Sequence, residues 1–255
     1  MITIKSNKEI GLMREASRIA KETQELVEKN IRPGITTLEL DRIAEKFIAS
    51  QNAFPAQKNY PSYNDGVAPF PATLCISIND ELIHGIPSKY VKLKEGDIVS
   101  VDLVVLKNGY NGDCARTFKV GQVSKEAEQL IEVTKQAFFE GIKFAKKGNR
   151  LGDISSAIGN YITSNNYSVV REFQGHGIGK EIHEEPGIPN FGKAGKGPRL
   201  IPGMTLAIEP MVTAGHRDVV ELEDGWTIAT KDGSLSAHYE NTILITENEP
   251  EILTL

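Results

Sequence analysis

Gly96-Asp97-Ile98-Val99-Ser100-Val101-Asp102 returns later in the chain as Gly203-Met204-Thr205-Leu206-Ala207-Ile208-Glu209, with a glycine opening and an acid closing each copy. The offset is a constant 107 residues. A second pair runs in the same order. Gly34, Leu40 and Phe47-Ile48-Ala49-Ser50-Gln51-Asn52 are matched by Gly148, Ile154 and Tyr161-Ile162-Thr163-Ser164-Asn165-Asn166 at an offset of 114. His84-Gly85-Ile86-Pro87 also echoes His183-Glu184-Glu185-Pro186. Short amphipathic segments resemble one another by chance, but three pairs in one order favour an internal duplication. The expectation is a single catalytic domain, 1–255, made of halves near 1–123 and 124–255. A site built by duplication lies between the halves, with paired carboxylates facing each other across the pseudo-axis.

Outward from these stretches, the periodicity alternates between helix and strand. Apolar side chains at Ile10, Met13, Ala16, Ile19, Ala20 and Val27 predict a helix over 7–30, with Ser6 or Asn7 as its N-cap. A second helix is predicted over 37–50, and further helices over 124–147 and 151–165. Residues 52–73 contain four prolines and read as irregular. Strand-like runs fall at 74–78, 97–106, 116–123, 168–173, 203–213, 218–222, 226–229 and 240–246. Helices, strands, helices, strands is an α+β order.

The chain has 255 residues, enough for one large core or two small ones. Its formal charge is −5, which lacks the basic face that nucleic-acid binding requires, so no DNA partner is expected. Two cysteines, Cys75 and Cys114, form neither a disulfide framework nor a CxxC pair. The N-terminus shows no apolar core before a small-residue cleavage site, and no segment reaches the ~20 apolar residues of a membrane helix. The expectation is a cytoplasmic monomer with no membrane contact.

Acids inside apolar runs carry the chemistry. Asp102 lies within Ile98–Leu106, Glu209 within Leu206–Val212, and Glu240 opens Glu-Asn-Thr-Ile-Leu-Ile245. A carboxylate in a buried strand is costly unless it is paired or bound to metal. Asp113, after Gly112, reads by itself as a turn residue. His176 and His183 sit in Gly175-His-Gly-Ile-Gly-Lys-Glu-Ile-His183, and His84 precedes Gly85. A lone histidine is ordinarily a satisfied core or surface residue, a reading that the glycine setting weakens. His216, in Ala-Gly-His-Arg-Asp, reads as an exposed turn and takes no role. Four carboxylates with imidazole suit Mn, Fe(II), Co or Zn. They exceed the needs of one catalytic zinc and match two ions ~3.5–4 Å apart.

These residues resemble the ligand set of the dinuclear pita-bread metallopeptidases, a family of methionine aminopeptidases, Xaa-Pro peptidases and creatinase. The local phrases are Cys75-Ile-Ser-Ile-Asn, His84-Gly-Ile-Pro, Gly96-Asp-Ile-Val-Ser-Val-Asp102, Asn111-Gly-Asp113, Gly175-His-Gly-Ile-Gly with His183-Glu-Glu-Pro, Ile208-Glu-Pro-Met and Asp224-Gly-Trp226. They span essentially the whole chain and are most similar to the short bacterial type I methionine aminopeptidases. The resemblance implies two pseudo-symmetric halves, an antiparallel sheet inside and helices outside. It implies two divalent ions held by Asp102, Asp113, His176, Glu209 and Glu240, with Asp113 and Glu240 bridging. Glu209 would also accept a proton from the attacking water. His183 would contact the scissile carbonyl and His84 the substrate near the leaving amine, neither binding metal. A methionine-sized pocket would draw on Cys75, Trp226, Ile182, Phe70 and Tyr63, each of which alone reads as core. The implied reaction removes the N-terminal methionine from nascent chains, preferably before a small uncharged residue. An Xaa-Pro peptidase and a non-catalytic binding relative are the alternatives.

Three departures stand out. The family carries Gln-x-Glu-His-Thr around its last ligand, where this chain has His238-Tyr239-Glu240-Asn241-Thr242. Ile182 stands where an aromatic is common, and 59–71 differ most from the family pattern. Lys143, Lys146, Lys147 and Arg150 cluster, as do Lys193, Lys196 and Arg199. Both read as solvated faces, with a weak contact to ribosomal RNA as the alternative.

Overall fold

The computed structural model describes residues 1–62 and 64–255. Four helices carry the outer layer: α1 (Asn7–Glu28), α2 (Thr37–Ser50), α3 (Lys125–Ile142) and α4 (Leu151–Ser164). Their starts are chemical. Ser6 and Thr36 each cap a helix and are answered by Glu9 and Glu39 in reciprocal capping boxes. Ser124 caps α3 through the Ala127 amide, and Asp153 accepts from the Arg150 amide at the head of α4.

The strands are β1 (Phe54–Pro55), β2 (Cys75–Ile78), β3 (Glu81–Ile83), β4 (Ile98–Lys107), β5 (Tyr110–Lys119), β6 (Ser168–Val169), β7 (Gly175–Gly177) and β8 (Glu184–Ile188). Then follow β9 (Thr205–Ile208), β10 (Met211–Thr213), β11 (Val219–Glu221), β12 (Ile228–Thr230), β13 (Ser236–His238), β14 (Glu240–Leu244) and β15 (Glu251–Ile252). One antiparallel sheet dominates, in the order β1-β4-β5-β14-β9-β7-β8, with β2 on β4 and β15 on β14. Two small sheets, β13-β10-β6 and β11-β12-β3, flank it. This is an α+β arrangement with an antiparallel sheet inside and helices outside, as the sequence reading expected. No helix among the described residues is long and apolar enough to cross a membrane.

The pseudo-symmetry is visible in backbone detail. Helix α2 maps onto α4 at both ends with the offset of 114 seen in the sequence. Gly34 and Gly148 have φ of 90° and 88°, and Gly96 and Gly203 have 91° and 92°. The amide of Gly34 donates to Leu93 O, and that of Gly148 to Leu200 O. Isolated bridges Thr36↔Lys92 and Arg150↔Arg199 occupy corresponding places.

Strand alternation separates core from site. On β4, Val99, Val101, Leu103 and Val105 join Ile19, Leu40 and Ile48 of α1 and α2 in one apolar cluster. On β9, Leu206 and Ile208 join Phe138, Ile154 and Ile158 of α3 and α4 in another. Burial of each such side chain stabilises the fold by about 1.5–3 kcal/mol. The opposite faces of the same strands, bearing Asp102 and Glu209, are thereby turned away from the helices.

Several elements differ from the sequence reading: the run 168–173 is strand only at Ser168–Val169, β1, β3, β7, β8, β13 and β15 fall outside the expected strands, and three further boundaries shift. The strand expected at 116–123 begins at Tyr110, because Asn108-Gly109, both at positive φ, form a two-residue hairpin turn closing the Lys107↔Tyr110 pair. Asp113 is therefore in mid-strand rather than in a turn. The run 203–213 divides at Glu209-Pro210, since proline cannot donate to a ladder, and β10 enters a different sheet from β9. The helix expected over 124–147 ends at Ile142.

Strand β7 approaches β9 so closely that a Cβ on Gly175 would run into the carbonyl oxygen of Ala207. Gly175→Ala is expected to destabilise the protein by about 1–3 kcal/mol, the usual overpacking cost. Urea unfolding against the unaltered chain measures it, and equal midpoints would contradict it.

Candidate metal centre

Residues opposite each other in an antiparallel ladder share a face, as do residues two apart on one strand. Asp102 on β4 faces Ala115 on β5, which faces Glu240 on β14. Asp113 lies two residues from Ala115. Thr242, two residues from Glu240, faces Ala207 on β9, and Ala207 faces His176 on β7. Glu209 lies two residues beyond Ala207. One histidine and four acids, carried on or beside five strands, thus fall on the face that the helices leave free.

The side chains converge. Asp113, His176 and Glu240 offer ligand atoms that all lie within 4.8 Å of one another. His176 Nε2 is 3.5 Å from Glu209 Oε1 and 3.8 Å from Asp113 Oδ2. Asp102 lies within electrostatic reach of Asp113, Glu209 and Glu240. Burial, reinforced by the Glu209 charge, raises the Asp102 carboxyl to about 6. Burial also pushes Asp113, Glu209 and Glu240 well above the ordinary carboxyl range, with neighbouring acids adding to the shift at Asp113 and Glu240. His176 is depressed to about 3 by burial and by His183 beside it, so its ring is neutral.

This cluster fits divalent metal. Four carboxylates cannot all ionise together in a buried site without compensating charge. No lysine or arginine is among the described residues lining the cavity around them. Asp113 Oδ1 is buried without a hydrogen-bond partner. Four negative charges balance two divalent cations, whereas one cation would leave half uncompensated. An oxygen-rich donor set with imidazole suits Mn, Fe(II), Co or Zn.

Above the cluster is a cavity of about 510 Å³. His84, His183, Cys75, Phe70, Trp226 and Ile182 all line it, as the sequence reading expected; Tyr63 lies outside the described residues. Phe70 and Trp226 meet edge to face at 5.2 Å, and the Trp226 indole donates to Ala68 O. His84 has φ of 61°, a left-handed conformation that a β-carbon residue adopts only under constraint, and burial depresses its ring to about 4. His183 packs edge-on against His176 at 4.5 Å.

Three cavity residues had no sequence signal. Tyr60 places its hydroxyl 2.8 Å from His183 Nδ1. Gln57 donates to Asp102 O and Cys75 Sγ while its carbonyl accepts from the Val104 amide, so one side chain fastens the strands that carry the first acid. Phe173 meets His84 edge to face at 6.0 Å. Tyr60 and Gln57 lie in the aperiodic 52–73 segment, and their contacts exist only in the fold. Among the remaining histidines, His216 is on an exposed turn beside Asp218, whereas His238 is buried 3.7 Å from Glu209. Of the basic residues, Lys143, Lys146 and Lys147 pair with Glu140, Glu249 and Glu247.

Comparison with known proteins agrees with this geometry. The family profile of metallopeptidase family M24 matches residues 11–247. A methionine aminopeptidase of Clostridium perfringens is 55% identical over 255 residues, covering 100% of this chain and 99% of that one. Methionine aminopeptidase 1 of Bacillus subtilis is 50% identical over 254 residues, with the same two coverages. The crystal structure of methionine aminopeptidase from Rickettsia prowazekii superposes with a TM-score of 0.95 at 42% identity, covering 100% of both chains. Similarity of that extent, over a register that gathers four acids and an imidazole on one face, has one meaning: the chain belongs to metallopeptidase family M24.

Proposed function

We infer that the protein removes the N-terminal methionine of nascent polypeptides by metal-dependent hydrolysis, preferentially where the second residue is small and uncharged. The observation that carries this reading is the placement of the carboxylate and imidazole cluster beneath a cavity with an apolar aromatic wall, in a chain whose full-length relatives are methionine aminopeptidases. The five donors come from both halves, Asp102 and Asp113 from one and His176, Glu209 and Glu240 from the other. The chain accordingly works as one catalytic domain, 1–255, with halves near 1–123 and 124–255, since neither half holds a complete site.

Asp102, Asp113, His176, Glu209 and Glu240 would hold two divalent ions. Such ions, when bound, polarise a carbonyl and make a water acidic enough to attack at neutral pH. Glu209 would accept a proton from an attacking water on its carboxylate and return it to the leaving amine. His183 stabilises charge developing on the scissile carbonyl oxygen. Tyr60 sets it up for that: a hydroxyl donating to Nδ1 leaves the ring proton on Nε2. His84 contacts the substrate near the leaving amine. Phe70, Trp226, Cys75 and Ile182 exclude water and receive the methionine side chain, and Tyr63 is assigned to the same pocket.

The partner is the N-terminus of a nascent chain, met by a cytoplasmic monomer. With Lys143, Lys146 and Lys147 paired to acids, Arg150, Lys193, Lys196 and Arg199 are the residues of the two clusters left for a weak ribosomal contact.

Chelator-treated protein reloaded with Mn, Fe(II), Co or Zn is expected to release methionine from a Met-Ala-Ser peptide and to leave an Ala-Pro peptide intact. Glu209→Ala should lower that rate by about 10²–10⁴-fold. Cleavage of the Ala-Pro peptide alone would make the protein an Xaa-Pro peptidase, and no activity with any ion would make it a binding relative. Tyr60→Phe is expected to lower kcat by about tenfold or more while two ions still bind, because the wrong His183 tautomer cannot donate. An unchanged kcat would remove Tyr60 from the mechanism.

Metal binding should also release protons. Burial raises Asp102 to about 6 and pushes its three acidic neighbours well above the ordinary carboxyl range, so near pH 6 the cluster holds protons that an entering ion displaces. Calorimetric titration in buffers of different ionisation enthalpy is expected to show proton release that shrinks, and affinity that rises, from pH 6 to pH 8. Heats independent of buffer at pH 6 would contradict the charge argument.

A further inference from the structure

His238 has no place in the roles set out above, and it occupies the position where the family motif carries glutamine. Its side chain is 2% exposed, and among the described residues neither Nδ1 nor Nε2 has a hydrogen-bond partner. Burying a polar ring with nothing to bond to is costly, so such a group in a native fold calls for a ligand. Its Nε2 lies 3.7 Å from Glu209 Oε2. That is beyond hydrogen-bonding distance.

The same feature marks His176, whose Nε2 stands 3.5 Å from Glu209 Oε1 and 3.8 Å from Asp113 Oδ2. Two donor atoms, each ~2.1 Å from a shared ion, are separated by ~3–4 Å for ordinary coordination angles. All three spacings are therefore those of atoms arranged around a common cation rather than bonded to each other.

The backbone holds His238 in this attitude. Thr117 Oγ1 donates to His238 O and accepts from the His238 amide, and Met211 is its ladder partner. Tyr239 turns the other way, packing against Phe138 at 5.5 Å under α3. Alternation along the extended chain then sends residues 238 and 240 to the site together. Imidazole in place of a carboxamide adds a nitrogen lone pair without adding charge, which leaves the balance of four carboxylates against two cations intact.

We propose that His238 is a further metal-ligating residue whose Nε2 shares an ion with Glu209, so that Glu209 stands between two imidazoles, His176 at Oε1 and His238 at Oε2. The proposal rests on the metallopeptidase reading of the cluster. The test is ¹⁵N NMR of the full chain labelled at histidine and titrated with Zn²⁺. Ring nitrogens of two histidines are expected to shift on zinc binding. The second shifted signal should be lost from His238→Ala and from the bulkier His238→Gln, while that of His176 persists in both. Zinc-dependent movement of His176 alone, or of His176 with any histidine other than His238, overturns the proposal and leaves the metal centre standing. Movement of no histidine overturns both.

Discussion

Four carboxyl groups share one buried face of a sheet, and among the described residues no lysine or arginine lines the cavity they border. Everything near them answers that repulsion. Burial raises all four, so the metal-free protein relieves the charge by holding protons, and divalent cations relieve it by replacing them. The Arg116 guanidinium is engaged elsewhere. Arg116 lies over the Tyr239 ring at 4.4 Å and donates to Glu240 O and Asn241 Oδ1, so it braces a ligand strand through its backbone without neutralising a carboxylate. A cation placed directly among the acids would have lowered their cost and filled the place that metal takes.

The duplicated architecture makes such a site mechanically practical. Each half layers two helices over one face of its strands, and alternation turns the acids to the other. Asp102 and Glu209 are the corresponding residues of the two copies, and they lie on either side of β5 and β14, the strands that carry Asp113 and Glu240. The copies have diverged where the chemistry requires it. His176 comes from a short strand flanked by glycines whose missing Cβ atoms allow close approach to β9 and β8, and the first half carries nothing like it.

Much of this was legible in the chain. The offsets of 107 and 114 return as matched helices, matched glycine dihedrals and matched bridges, because turns and caps are local and their residues name them. The acids were legible because a carboxylate set among valines and isoleucines is too costly to bury without a counter-charge or a metal. Asp113 was harder: Gly112 beside it suggested a turn, while the actual turn, Asn108-Gly109, stood four residues earlier with the ordinary hairpin signature. Tyr60 and Gln57 were not legible at all. Each acts on a residue distant in sequence, His183 in one case and Asp102 in the other, and a segment without periodicity gives no hint of direction.

The amino-acid sequence by itself determined the α+β order of elements and the twofold repeat, and it set Asp102, Glu209 and Glu240 apart as acids within apolar runs. These follow from composition, spacing and local propensity, which need no partner. Only the tertiary structure decided that five strands bring their acids and imidazole to one face, that Tyr60 orients His183, and that His238 points at Glu209. Those facts depend on ladder register and on which side chains meet across the sheet, and register is set by the packing of the whole chain.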